Sequence, residues 1–373
     1  MLLTSSWNEV LKVISNFNFW SILLAASFVI FLGFIFQKKS LIFKDWEKVV
    51  VKIILYAALP ALALKSFLVD LNPKDMGEAI TIAVIGIIFY TSLTFGSKYF
   101  FIKSSKPRQD TLAMSVAFSS AVYFGVAIMK AINPDAAITS KIDLYSSLFL
   151  IGFWIFMFSA ASNIMQRKYF EEQEMQEALI GKKQKVINFF KVFKNPIIIA
   201  TFVGIFLWLF QLVPGVKIIK GEYSISRIDQ YIPGVKEILS ILAPLASPLA
   251  WFSMGATLAK SEIKEAFKSK IVWWATFVKS IITPLICLSL FIIGSLILKS
   301  INGTGLSSLA MVLCVAIIAS PTANTIVGYA VLYDKEPKLA SRVGTLTILL
   351  SIIIIPFWIL TSSAIGETSI FGG

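Results

Sequence analysis

The stretch ASPTANTI, residues 319–326, places polar residues in the middle of an apolar segment, between MVLCVAII (311–318) and VGYAVLY (327–333). Pro321 lacks a backbone N–H and disrupts the preceding helical turn. Unpaired backbone groups are costly in hydrocarbon, so an interrupted membrane helix is tolerated only where protein or a water-filled cavity surrounds it. The stretch therefore predicts a membrane helix that is buried between other helices and unwound near Ser320–Thr325.

The composition of the chain indicates that lipid is its solvent. Of its 373 residues, 57% are hydrophobic and 15% are charged, with a mean hydropathy of +0.80. Soluble domains are about 45–50% apolar and about 25% charged. The net charge of +13 is compatible with a nucleic-acid partner, but most Lys and Arg residues lie in short loops between apolar segments, where they set membrane topology. We therefore exclude nucleic-acid binding.

The sequence predicts neither a metal site nor a bound cofactor. It contains no histidine and two cysteines. Cys287 and Cys314 both fall in apolar segments without metal-ligand spacing, which is typical of buried small hydrophobic residues. A P-loop and Ser–His or Cys–His pairs are also missing from the sequence, so we expect neither direct use of ATP nor enzymatic hydrolysis.

The chain is predicted to be an all-α integral membrane protein with ten transmembrane helices. About 20 apolar residues cross a bilayer core, and this rule gives spans at residues 17–36, 47–69, 78–101, 110–130, 142–164, 196–213, 237–258, 271–298, 305–331 and 338–365. The excess of Lys and Arg in alternate loops predicts that those loops are cytoplasmic. Both termini are then extracellular, and the cell membrane is the expected location.

The longest cytoplasmic loop, residues 165–195, divides the chain into residues 1–164 and 196–373, with five spans each. Because five is odd, the two halves have opposite topology, and inverted repeats of this kind are common in secondary transporters. The loop closes with VINFFKVFKNP (186–196), which indicates either an interfacial helix on an anionic leaflet or a plain connecting helix.

The fourth span is the counterpart of the ninth in the first repeat. Its centre, AFSSAVYFGVAIM (117–129), also carries small and polar residues. Two interrupted helices that cross at mid-membrane would form a polar pocket with exposed amides, which suits a small anion. Kinks and hydroxyl residues that serve only packing are the alternative interpretation. The candidate site residues are Ser119, Ser120, Tyr123, Gly125, Lys279, Ser320, Pro321, Thr322, Asn324 and Thr325.

Lys279 is the one charged residue well inside a predicted span, and a mid-membrane lysine by default indicates a function. Three roles are open: it attracts an anion into the pocket, it binds the carbonyl end of a broken helix, or it snorkels to the cytoplasmic surface. Asp and Glu residues fall only at the span ends. A carboxylate-driven sodium or proton cycle therefore has little support.

Residues 320–360, SPTANTIVGYAVLYDKEPKLASRVGTLTILLSIIIIPFWIL, and PLAWFSMGATL (248–258) resemble the auxin efflux carrier family. This family includes bacterial malate and malonate permeases and plant PIN-type auxin carriers. The resemblance implies inverted five-helix repeats with the fourth and ninth helices crossing at the substrate site. It also implies an elevator motion, with helices 1, 2, 6 and 7 as the scaffold, and small organic carboxylates as substrates.

Pro321 and Asn324 match the family's crossover in the ninth helix. The fourth helix departs from the pattern, because the family's Asn, Gly and Pro positions correspond to Ser120, Val122 and Ala127, with Gly125 retained. We therefore expect a less interrupted fourth helix than in the family.

The leading hypothesis is a secondary carrier for a small organic anion. A sodium- or proton-coupled carrier of the bile-acid-symporter or antiporter type is one alternative, and a non-transporting sensor that uses the 165–195 loop is another. The expected partners are the organic anion, membrane lipid and a second copy of the chain, bound through the scaffold helices.

Overall fold

A computed structural model describes residues 11, 13–43, 45–120, 124–167, 194–213 and 223–372. In these ranges the regular structure is helical, and β-bridges occur only as isolated pairs. The predicted site residue Tyr123 and most of the 165–195 loop, including the predicted interfacial helix, lie outside the described residues.

The helices follow the predicted spans closely. The fourth and ninth spans each correspond to two short helices, and every other span corresponds to one. The helices are α1 (Phe17–Lys38), α2 (Trp46–Phe67), α3 (Pro73–Phe101), α4 (Lys106–Ala117), α5 (Gly125–Ile132), α6 (Ala136–Gln166), α7 (Pro196–Phe210), α8 (Ile228–Tyr231), α9 (Val235–Lys260), α10 (Ile263–Lys268), α11 (Lys270–Asn302), α12 (Ser308–Ala319), α13 (Asn324–Leu332) and α14 (Pro337–Gly366).

Seven described helices are long and apolar enough to cross a membrane: α1, α2, α3, α6, α9, α11 and α14. The apolar helices α7 and α12 are shorter, with 15 and 12 residues. A chain with this many long apolar helices fits an integral membrane protein, in agreement with the predicted fold class.

Local sequence explains where several helices begin. Asn16, Asp135, Asn195 and Ser307 stand at the N-caps of α1, α6, α7 and α12, and each side chain accepts a hydrogen bond from an amide of the first turn. These side chains satisfy backbone donors that would otherwise lack a partner at a helix start.

Helix pairing places the two broken spans at the centre of the molecule. Helix α1 packs along α9, α2 along α7 and α3 along α6, while α12 lies between α11 and α14. The backbones of α1 and α9 approach closely at Gly33 and Gly255, as small residues allow in membrane helices. All residues of 110–117 in α4 and 310–319 in α12 are buried. This burial confirms the prediction made from Pro321 that the interrupted segment is enclosed by protein.

Candidate functional site

Both broken spans are interrupted at mid-length. Helix α12 ends at Ala319 and α13 begins at Asn324. Helix α4 ends at Ala117, Phe118 is extended (φ −115°, ψ 121°), and α5 begins only at Gly125. The fourth span is therefore interrupted even though Ser120 and Ala127 stand at the family's Asn and Pro positions.

The two breaks are joined backbone to backbone. Ser119 and Thr322 form an antiparallel β-bridge. The Ser120 amide donates to the Pro321 carbonyl at 2.6 Å, and the Ala323 amide donates to the Phe118 carbonyl at 2.9 Å. This pairing replaces helical hydrogen bonds that each break loses. The fourth span can therefore unwind without a proline, because its partner segment satisfies its backbone.

Side-chain hydroxyls cap the carbonyl end of the half-helix in the opposite span. The Ser119 hydroxyl donates to the Ile318 carbonyl near the end of α12, at 3.1 Å. The Thr322 hydroxyl donates to the Ser115 carbonyl near the end of α4, at 2.9 Å. Each break therefore supplies a donor to carbonyl groups that helix termination leaves unpaired.

Lys279 adds a second cap at only one of these ends. It lies in a π-helical turn of α11, Val278–Ile282, and its side chain is 1% exposed. Its ammonium group donates to the Ile318 carbonyl at 2.9 Å and to the Ser119 hydroxyl. This position excludes snorkelling and matches the predicted role of a cation at the negative end of a helix dipole.

The amide ends of the half-helices α5 and α13 flank the two paired breaks. Their N-cap residues are Phe124 and Ala323, and neither has a side-chain capping hydrogen bond among the described residues. The first amides of a helix carry partial positive charge and lack helical partners. In the described residues, side-chain donors therefore cap the carbonyl ends, whereas the amide ends have no side-chain cap.

Gly125 allows α5 to begin against α12. A Cβ atom at this position would lie 2.6 Å from the Ile317 nitrogen and 2.7 Å from its Cα. Real Cβ atoms do not approach backbone atoms so closely, so an alanine would force the two half-helices apart. Gly125 is therefore a packing determinant of the crossover, which is a different role from contact with a ligand.

Three buried polar atoms around the crossover have no hydrogen-bond partner among the described residues: the Ser120 hydroxyl, the Asn324 side-chain oxygen and the Tyr90 hydroxyl. Buried polar atoms are normally paired, and an unpaired one needs an explanation such as a bound ligand. The Asn324 side chain carries an acceptor oxygen and a donor NH2 group on the same amide.

Of the remaining predicted residues, two have structural roles in the break and one lies half-buried beside it. Ser320 donates to the Ala316 carbonyl within α12 at 3.2 Å, and Pro321 accepts the backbone bond from Ser120. Thr325 is half-buried on the first turn of α13. Of the ten predicted site residues, the structure brings Ser119, Ser120, Gly125, Lys279, Ser320, Pro321 and Thr322 to the crossover, with Asn324 and Thr325 at the start of α13.

Sequence reasoning missed two residues that support the crossover. The Thr347 hydroxyl on α14 accepts a hydrogen bond from the Thr322 amide at 3.2 Å. The Tyr90 ring on α3 stacks on Phe118, with ring centroids 6.0 Å apart. The sequence did not single out Thr347, because its span carries other hydroxyl residues such as Thr345 and Ser351. Nothing in the sequence indicated the Tyr90 contact.

Charged residues hold the far ends of the broken spans. Glu78 on α3 accepts from the Ser307 amide at the start of α12, at 2.7 Å. Lys335, after α13, donates to Asp110 on α4 at 2.6 Å and to the Ile164 carbonyl at 2.7 Å. Burial lowers the pKa of Lys335, although the Asp110 carboxylate opposes this shift.

The flanking residues Asp334 and Glu336 both have positive φ, at 48° and 50°. Non-glycine residues seldom adopt this conformation. The turn that places the Lys335 side chain between α4 and α6 is therefore strained on both sides of that residue.

Comparison with known proteins identifies the family. The sequence profile of a family described as "Membrane transport protein" matches residues 21–359. A search of curated proteins gives no match to this chain. The matched region includes both broken spans and the crossover. It also fits the many long apolar helices, and the family consists of transporters and not of enzymes. The chain therefore belongs to the membrane transport protein family, the family of the auxin efflux carriers.

Proposed function

We propose that this protein is a secondary carrier that moves a small organic anion, such as a carboxylate, across the cell membrane. One observation carries the proposal: two half-helix amide ends, at Phe124 and Ala323, flank the paired breaks without side-chain caps in the described structure, while the carbonyl ends of α4 and α12 are capped by side-chain donors. Such an arrangement presents positive potential to the crossover without a competing carboxylate, as anion sites at helix N-termini do.

The proposed ligand contacts are hydrogen-bond donors. They are the Ser120 hydroxyl, which is unpaired in the described structure, the NH2 group of the Asn324 side chain, and the Thr325 hydroxyl on the first turn of α13. Ser119, Thr322 and Ser320 hold the backbone of the breaks open, while Lys279 adds positive potential from the carbonyl end of α12. Tyr123 remains part of the proposed site on sequence grounds.

The proposed architecture is ten spans in two inverted repeats of five, residues 1–164 and 196–373. The observed helix pairing supports it. Helix α1, the first span of the first repeat, packs on α9, the second span of the second repeat. Helix α7, the first span of the second repeat, packs on α2, the second span of the first repeat. The proposed motion is of the elevator type. Helices α1, α2, α7 and α9 would form the scaffold, and the helices around the crossover would move as one body.

Membrane placement and assembly complete the proposal. Both termini are proposed to be extracellular, from the distribution of Lys and Arg in the loops. Helix α7 exposes a row of large apolar side chains, among them Ile199, Phe202 and Phe206. This surface suits lipid, and it also suits a second copy of the chain in a homodimer through the scaffold.

Uptake into proteoliposomes tests the proposal directly. Purified protein is reconstituted, and the uptake of labelled malate, malonate and an aromatic monocarboxylate is measured against protein-free vesicles. We expect one of these anions to be taken up by wild type and its uptake to fall at least about tenfold in Asn324→Ala, because one lost hydrogen bond to a charged group costs about 1.5–3 kcal/mol.

The matched control is Asn302→Ala, at the exposed end of α11, which should transport like wild type. Full transport by Asn324→Ala at equal protein density would refute the site. Absence of uptake of every carboxylate by wild type, in both gradient directions, would refute the substrate class.

A further inference from the structure

Lys279 is an enclosed cation with an unusual set of partners. Its ammonium group is held by the Ile318 carbonyl, at 2.9 Å, and by the Ser119 hydroxyl. Among the described residues, no Asp or Glu forms an ion pair with it. A buried charge is normally paired with an opposite charge. Here the negative end of a half-helix and a hydroxyl group take the place of that counter-ion.

The same set of oxygens resembles a monovalent cation site. In carriers with broken helices, unwound backbone carbonyls and half-helix C-terminal ends coordinate the coupling sodium ion or proton. A carbonyl and hydroxyl oxygens replace the hydration shell of such an ion. Lys279 reaches this position from a neighbouring helix, because the π-helical turn Val278–Ile282 interrupts the regular register of α11.

The two breaks differ in this respect. Among the described residues, the carbonyl end of α4 is capped at Ser115 by the Thr322 hydroxyl and by no cation, whereas the carbonyl end of α12 receives both the Ser119 hydroxyl and Lys279. The positive charge is therefore placed at one of two otherwise similar ends. A general packing role for a long side chain would not require an ammonium group at that end.

We infer that the Lys279 ammonium is a built-in substitute for a coupling cation: it permanently occupies a monovalent cation site at the carbonyl end of α12. The inference rests on the carrier proposed above and specifies its coupling. Transport then needs no sodium ion, because the positive charge that stabilises the crossover belongs to the chain. Removal of the side chain beyond Cβ would expose the site to a free cation, with water completing the coordination.

Thermal unfolding in different salts tests this inference without any organic anion. Wild type, Lys279→Ala and Lys279→Met are purified in sodium chloride and exchanged into sodium, lithium, potassium or N-methyl-D-glucamine chloride at one ionic strength. Alanine opens the site, whereas methionine fills it without charge and serves as the matched control.

We expect the Tm of wild type to be the same in all four salts. The Tm of Lys279→Ala should be lowest in N-methyl-D-glucamine. It should rise saturably, by about 2–4 °C, with sodium or lithium at about ten times the Kd of the ion. Lys279→Met should be destabilised equally in all salts.

A sodium-specific rise in wild type would overturn the inference, and so would a Lys279→Ala protein that does not distinguish the cations. Equal rises in the alanine and methionine variants would overturn it too, since only one of them has an open site. Failure to recover folded Lys279→Ala from sodium also contradicts it, because the refilled site should hold the crossover together. Since no carboxylate is used, this outcome is independent of whether the anion assignment holds.

Discussion

The break in the fourth span and the break in the ninth span reach the same result by different means. The break in the ninth span results from residues of that span, Pro321 and its polar neighbours, and the Lys279 ammonium binds its carbonyl end. The fourth has no proline, and it is held open by backbone bonds to Pro321 and Ala323 and by the close approach of Gly125 to Ile317. The comparison indicates that the break in the ninth span stabilises the break in the fourth.

Removal of the buried Lys335–Asp110 ion pair, which joins the fourth and ninth spans away from the crossover, should have the largest effect. Lys335→Met leaves the Asp110 carboxylate buried without its cation. We expect a loss of about 3–5 kcal/mol in the free energy of unfolding, as for other buried pairs with one partner removed. Thermal unfolding of the purified protein measures it.

The control is Lys130→Met, whose partner is Asp143 and whose side chain is 31% exposed. A partly exposed pair contributes less, about 0–1 kcal/mol near a surface. Equal losses in the two variants would show that burial of the Lys335 pair does not hold the broken spans together.

Gly125→Ala disturbs the break in the fourth span, which depends on close packing against α12. The added methyl group has no room beside Ile317, so we expect a loss of about 1–3 kcal/mol of stability, as for overpacked cores, together with loss of transport. Gly328→Ala on α13 is the matched control, since a Cβ there would meet nothing within 4 Å. A Gly125→Ala variant that behaves like Gly328→Ala would mean that close contact of the half-helices is dispensable.

Removal of either hydroxyl cap should destabilise the protein less, and the two losses should differ between the breaks. Ser119→Ala removes an acceptor from the Lys279 ammonium, whereas Thr322→Val removes a neutral bond to the Ser115 carbonyl. Hydrogen bonds to charged groups contribute about 1.5–3 kcal/mol and neutral ones about 0.5–1.5 kcal/mol. Chemical denaturation should therefore give a lower free energy of unfolding for Ser119→Ala than for Thr322→Val. The reverse order would argue against a charged Lys279.

Much of the fold followed from sequence because lipid imposes simple rules. The length of apolar runs placed the helices, and Pro321 with its polar neighbours predicted both the break and its burial. The depth of Lys279 indicated a function, and the helix-dipole role was one of the alternatives considered.

The fourth span was harder to predict, because its break depends on partners about two hundred residues away in the chain. The bond from the Ser120 amide to the Pro321 carbonyl cannot be inferred from local propensity. The same applies to Lys335 and Asp110, which looked like ordinary residues at span ends and are buried against each other. Long-range pairing decides these features, and local sequence does not record it.

The most direct test of an anion site at the crossover is thermal stabilisation of purified protein by a panel of small carboxylates. Wild type is compared with Asn324→Ala and Ser120→Ala, and with Ser289→Ala on the exposed face of α11 as the control. At about 100 times its Kd, a bound carboxylate should stabilise wild type and the Ser289→Ala control by about 2.7 kcal/mol, and it should stabilise the two crossover variants much less. Equal stabilisation of all four proteins would place the anion elsewhere, and no stabilisation of wild type by any carboxylate would contradict the account.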